Sequence, residues 1–153
     1  MKQMWMRLLG KKRKGFTLVE LLIVIIIIGI LAGAMLLVAG SGTDKAEATR
    51  IVSDLRTVKS AAMMYYADNG SWTNNLDNLK SYMGSSGVDT AQFKMLAVSN
   101  DYYIGRNVTS YGNGVKAKLK DMASKDKNLF GGTDSAVNTT AYNNENWIYM
   151  QVR

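Results

Sequence analysis

One carboxylate in this chain stands where a carboxylate is expensive. Glu20 lies at the lip of a run, residues 21–43, that carries no charged side chain. Inside a membrane segment such an acid costs roughly 2.5–3.5 kcal/mol, so it needs a partner. Just upstream, Lys11, Lys12, Arg13 and Lys14 form a cationic block that stops abruptly at Gly15. Cutting the chain between Gly15 and Phe16 would create a new ammonium on Phe16. Phe16 and Glu20 are four residues apart, so on a helix the amine and the carboxylate share one face. The same pair can also form between neighbouring copies, the amine of one against Glu20 of the next. In a low-dielectric bundle it is far stronger than in water. Because the unpaired state is costly, it sets register more than it adds stability.

No other set of side chains reaches that level. The chain has no Cys and no His, which removes thiol chemistry, Cys/His metal sites and an imidazole base. Its carboxylates are scattered, and no catalytic set emerges. Asp134, with Asn138, Asn143, Asn144 and Glu145, offers oxygen ligands of the kind calcium takes. The spacing of a dedicated calcium loop is missing, so a solvated loop is favoured and no cofactor is expected. Lys116, Lys118, Lys120, Lys125 and Lys127 form a basic patch interrupted by Asp121 and Asp126. A DNA contact is disfavoured there against a solvated face, since helical spacing scatters these lysines around the axis.

The elements that must position Glu20 follow from hydropathy. Residues 21–39 as a helix rise about 29 Å, the thickness of a bilayer hydrocarbon core. A helix apolar on every face for that long is a membrane span. The formal charge of +7 is mostly a topology signal. Lys2, Arg7 and the four cations before Gly15 precede the cut with no acid among them, which leaves the remainder near neutrality at +1. Basic residues on that side keep the N-terminus in the cytoplasm. A secretory signal peptide is cut after its apolar region; here the cut precedes it, and the span is retained. The chain therefore divides into a leader, residues 1–15, an apolar helix, residues 16–43, and a soluble domain, residues 44–153.

Gly15-Phe16-Thr17-Leu18-Val19-Glu20-Leu21-Leu22-Ile23-Val24, the apolar helix behind it, and Tyr65-Tyr66-Ala67-Asp68-Asn69-Gly70 at the end of a long amphipathic helix resemble the type IV pilins and type II secretion pseudopilins. The resemblance implies that a prepilin peptidase cuts after Gly15 and methylates the amine of Phe16, and that Glu20 is the assembly carboxylate. It further implies a homo-oligomeric filament, an inner-membrane assembly platform with an ATPase, and membrane lipid as the surroundings before assembly. The filament would be extracellular or periplasmic. Some major pseudopilins bind calcium in a comparable C-terminal loop. Two features depart from common members: no proline lies in the apolar helix, where Leu37 occupies the place, and no cysteine is present for a C-terminal disulfide.

The rest of the chain reads as α+β: a long helix over residues 16–69 packed on a small antiparallel sheet. Gly29 and Gly33 within it suit either close helix packing or local unwinding. Asp44 and Glu47 have the spacing of a capping box, which predicts a helix restart after a joint at Gly40–Gly42. Ile51, Leu55, Val58, Ala62 and Tyr65 form a core-facing stripe, with Arg50 and Asp54 paired on the wet side. Further expectations are a helix from Leu76 to Gly84, a strand from Asp101, a turn at Tyr111–Gly114, a helix through Val115, Leu119, Met122 and Ala123, an apolar plug at residues 129–132, a loop over 133–146 and a strand at 147–152. The function expected is that of a filament subunit and not an enzyme. The alternatives are a pseudopilin of a secretion or DNA-uptake system, and a membrane-anchored binding module that never polymerises.

Overall fold

The computed structural model describes residues 15–85 and 87–153 and divides into two compact units, residues 1–39 and 40–153. The leader cations lie outside the described residues. Helix α1, Leu18–Asn69, contributes to both units. In the first unit its large apolar side chains are exposed on every side, Leu21 at 55% and Ile27 at 51% among them. A helix of this length and composition is able to cross a membrane, and lipid is the medium in which such a surface is stable.

In the second unit the expected stripe is the core. Ile51, Leu55, Val58 and Ala62 are fully buried, joined by Ala48, Val52 and Ala61, with Tyr65 partly buried at the end. The helix stops at Gly70, whose φ of +67° suits glycine. Its N–H bonds the Tyr66 carbonyl at 2.8 Å, and the Asn69 amide caps the Tyr65 carbonyl at 2.9 Å.

The expected joint is absent. Residues 40–47 are helical, and Asp44 does not start a new helix. Its carboxylate lies instead against Gly114 in the first turn of a helix that follows later, where any β-carbon would collide with it. That helix opens at Gly112 with no side-chain cap, so the acid brought across from α1 complements the positive end of its dipole.

Beyond α1 the chain makes a 3-10 turn, Leu76–Leu79, running into the short helix α2, Lys80–Met83, and both match the expected segment. Five strands follow: β1 Phe93–Val98, β2 Asp101–Asn107, β3 Leu129–Gly132, β4 Val137–Ala141 and β5 Trp147–Gln151, with helix α3, Asn113–Lys125, between β2 and β3. They form one antiparallel sheet in the order β1-β2-β5-β3-β4. The small antiparallel sheet is thus as expected, and its last strand lies at the centre.

Three local expectations are corrected. The apolar plug at 129–132 is strand β3, drawn into the sheet by pairing with β5. Part of the loop over 133–146 is strand β4, a largely exposed edge strand that pairs with β3. The turn at 111–114 is already helix from Asn113.

Register explains the core. Met95, Ile104, Met150 and Leu129 lie opposite one another on consecutive strands and are all buried with the α1 stripe. Arg106 occupies the same face and is only 9% exposed. Its guanidinium pairs with Asp54 of α1, donates to the Tyr111 hydroxyl at 3.0 Å, and lies 5.2 Å from the Phe93 ring centre. Asp54 is therefore not the partner of Arg50 but the acid that makes a buried arginine tolerable.

On the opposite face Tyr149 is fully buried. Its ring lies over Gly105 of β2 and Gly132 of β3, the two positions where a side chain would strike it, and its hydroxyl donates to the Thr133 carbonyl. At Gly132 a β-carbon would also strike the Ala136 carbonyl, which is backbone and cannot rotate away. Gly132→Ala is expected to destabilise the domain by about 1–3 kcal/mol, measurable as a lowered Tm.

Tyr142 and Tyr149 also set an alkaline limit. Burial, with the negative charge of Asp134 adding to it, pushes the Tyr149 hydroxyl up to about 12. Burial raises Tyr142 as well, with Glu145 reinforcing it. In the unfolded chain both ionise near pH 10. Above that pH the unfolded state holds fewer of these protons than the fold does, so stability falls as pH rises. Stability is expected to be independent of these two groups below pH 10 and to decline between pH 10 and about 12. Tyr149→Phe should flatten part of the decline in a pH series of thermal melts.

Candidate assembly site

Thr17, Leu18, Val19 and Glu20 open α1, and their side chains close the opening on itself. Glu20 Oε2 accepts from the Thr17 N–H at 2.8 Å and from the Thr17 hydroxyl at 2.9 Å. The Thr17 hydroxyl oxygen in turn accepts from the Glu20 N–H at 3.2 Å. This is a reciprocal capping box: two N–H groups that a helix start leaves without partners are both satisfied. The negative charge also sits at the positive end of the helix dipole. Sequence reasoning placed the capping box at Asp44 and Glu47 and missed this one, although Thr17 and Glu20 carry the same spacing.

Phe16 lies outside helix α1, which begins at Leu18, so it and Glu20 do not form the helical four-residue pair that their spacing predicts. With Leu21 and Val24 they border one hollow of about 330 Å³. Phe16 itself is 85% exposed, and among the described residues a β-carbon on Gly15 would meet nothing within 4 Å. The Glu20 carboxylate is turned to Thr17, and its apolar stem borders the hollow beside Phe16.

The weaker candidates come together only in part: Asp134 and Glu145 border one cleft. Asn138 and Glu145 come together, with the Asn138 amide 3.3 Å from the Glu145 carboxylate, which also accepts from the Asn143 N–H. Asp134 is paired with Lys94 at 2.9 Å instead. Among the described residues no group of three or more acidic side chains is gathered. Of the five lysines, Lys118 and Lys125, seven residues apart, line a cleft of about 200 Å³ with Lys45 of α1 and Asp121. Lys116 bonds the Asn146 side chain at 3.0 Å.

An uncharged helix able to span a bilayer, headed by a capped acid, followed by a helix-backed antiparallel sheet, defines a membrane-anchored structural subunit. Comparison with known proteins agrees along the chain. The family described as "Prokaryotic N-terminal methylation motif" matches residues 10–36, and that described as "PilW, C-terminal" matches residues 42–145. The type IV major pilin protein PilE1 of Neisseria gonorrhoeae is 30% identical over 148 residues, 76% of this chain and 69% of its own. The type II secretion system core protein G of Pectobacterium carotovorum is 35% identical over 71 residues, 46% of either chain. The major type IV pilin PilA1 of Clostridium difficile superposes with a TM-score of 0.51 at 19% identity, over 73% of this chain and 98% of its own; at that identity it supports the fold alone. The chain belongs to the type IV pilin and pseudopilin family, a family of structural subunits.

Proposed function

We propose that the chain is a subunit of a type IV pilus-like filament, made as a precursor with its N-terminus in the cytoplasm. A prepilin peptidase cuts between Gly15 and Phe16 and methylates the Phe16 amine. The apolar helix holds the subunit in the cytoplasmic membrane until a platform with an ATPase extracts it, and subunits then pack their helices together. Glu20 neutralises the Phe16 amine of a neighbour during that packing.

One observation carries the reading: a single acid, capped by Thr17, stands beside Phe16 at the head of a helix whose large apolar side chains, as far as they are described before residue 39, are exposed. In the precursor the capping box meets the needs of Glu20. After cleavage an ammonium is available four residues before Glu20, and a charge-assisted bond is roughly twice as strong as a neutral one. Moving the helix from lipid into a filament gains less than burial from water would, about 1.5–3 kcal/mol for each large side chain, which is why an ATP-driven step is needed.

Mass spectrometry of the protein from its native membrane tests the reading. An N-terminus at methylated Phe16 supports it, and an intact Met1 supports a monomeric anchored module in its place. Electron microscopy separates a surface pilus from a periplasmic pseudopilus.

A further inference from the structure

At one end of the sheet three loops meet around an indole. β2 runs out into Thr109, β3 into Thr133 and Asp134, and β5 is entered through Glu145 and Asn146. With Trp147 these residues line an open cleft of about 450 Å³, within the size range of small-molecule sites. Register brings them there. Trp147 lies opposite Asn107 of β2 and Gly132 of β3, so three strand ends are side by side. The Val108 N–H bonds the Asn146 carbonyl at 2.8 Å and ties two of the loops together.

The polar groups of the cleft are divided in a particular way. Asp134 is held by Lys94, whose ammonium also lies 5.8 Å from the centre of the Trp147 ring. The Glu145 carboxylate serves Asn138 and the Asn143 N–H. Lys116 occupies the side-chain oxygen of Asn146, which leaves its NH₂ to donate. Thr109 and Thr133 are exposed, and no side-chain hydrogen bond links either hydroxyl to another described residue.

What remains for a ligand is two hydroxyls, one amide donor and the part of the indole left uncovered by the stacked Tyr149 ring and Lys94, with two acids and two lysines at the rim. With Lys94 and Lys116 beside them, the two acids leave no net positive charge to hold a phosphate or carboxylate. A purely apolar guest would leave the hydroxyls and the amide without water or partner, at about 1–3 kcal/mol each. A sugar ring satisfies both demands, laying a C–H face on an aromatic plane while its hydroxyls donate and accept at the edge. We infer that this cleft binds an uncharged pyranose, stacked on Trp147 and hydrogen-bonded by Thr109, Thr133 and Asn146. The inference does not depend on whether the chain polymerises.

The test uses the full chain in phosphocholine micelles, which carry no sugar headgroup, with ¹⁵N-labelled tryptophan. Methyl glycosides of glucose, galactose and N-acetylglucosamine are titrated while the indole N–H signals of Trp5, Trp72 and Trp147 are followed. At least one neutral glycoside is expected to shift the Trp147 signal saturably, with methyl glucuronide binding more weakly. Thr109→Val and Asn146→Ala leave the strand pairing intact and should each weaken binding about threefold to tenfold, the worth of one hydrogen bond. No saturable shift with any neutral glycoside at about 50 mM, a binding energy under about 2 kcal/mol, overturns the inference. So does an affinity unchanged in both variants, or tighter binding of the glucuronide.

Discussion

Glu20→Val is expected to leave the protein in the membrane and to remove it from filaments. The two effects separate because they draw on different terms. In the bilayer the substitution deletes an acid that costs roughly 2.5–3.5 kcal/mol, so insertion becomes easier. In the filament it deletes the counter-charge for a buried ammonium, and an unpaired charge inside a packed bundle costs several kcal/mol. Sheared filament protein should fall at least tenfold, while the membrane-extracted pool stays constant or rises. Glu20→Gln sharpens the result. Glutamine can still accept from the Thr17 N–H and hydroxyl, the two bonds that Glu20 makes at the helix start, but it carries no charge. Should Glu20→Gln assemble normally, the acid matters as a cap and not as the partner of Phe16.

The second large effect lies in the globular unit. Asp54→Ala is expected to destabilise it by about 3–5 kcal/mol, because Arg106 is left charged and unpaired in the core. The Arg106 side chain is 11% exposed and that of Asp54 22%. Water cannot replace the lost carboxylate well, and Tyr111 supplies only a neutral oxygen. A Tm lower by about 10–20 °C should follow. Arg50→Ala is the control. The pairing of Arg50 with Asp54 expected from their spacing predicts that both substitutions have similar, small effects. The observed partner predicts that only Asp54→Ala is severe.

That contrast shows where the sequence is legible. Period and composition fix the apolar helix, its start near Glu20 and the buried stripe from Ile51 to Tyr65, because these depend on nearest turns of one helix. Strand β5 is legible for the same kind of reason: Trp147, Ile148, Tyr149 and Met150 are rich in aromatic and branched types. β1 is not, since Lys94, Met95, Leu96 and Ala97 favour helix over strand; its strand form comes from pairing with β2. β3 and β4 escape notice because glycines and threonines look like turn residues until the Tyr149 ring needs the space that Gly132 leaves. The pairing of Asp54 spans 52 positions, and the placing of Asp44 against Gly114 is likewise long-range. No local rule reaches either. Of the candidate site, Gly15, Phe16 and Glu20 are readable from charge and spacing alone. The role of Thr17 is readable too, but the eye goes first to the acid at position 44.

The middle position of β5 in the sheet has a temporal consequence. The β1–β2 hairpin and the β3–β4 pair are made first and have no edge in common. Among the described residues the two are bridged in the sheet by residues 147–151, which follow all four strands in the chain. Neither pair can take its final place until this strand lies between them, so the two halves of the sheet close together and not one after the other. Removing residues 147–151 would cut the sheet in two.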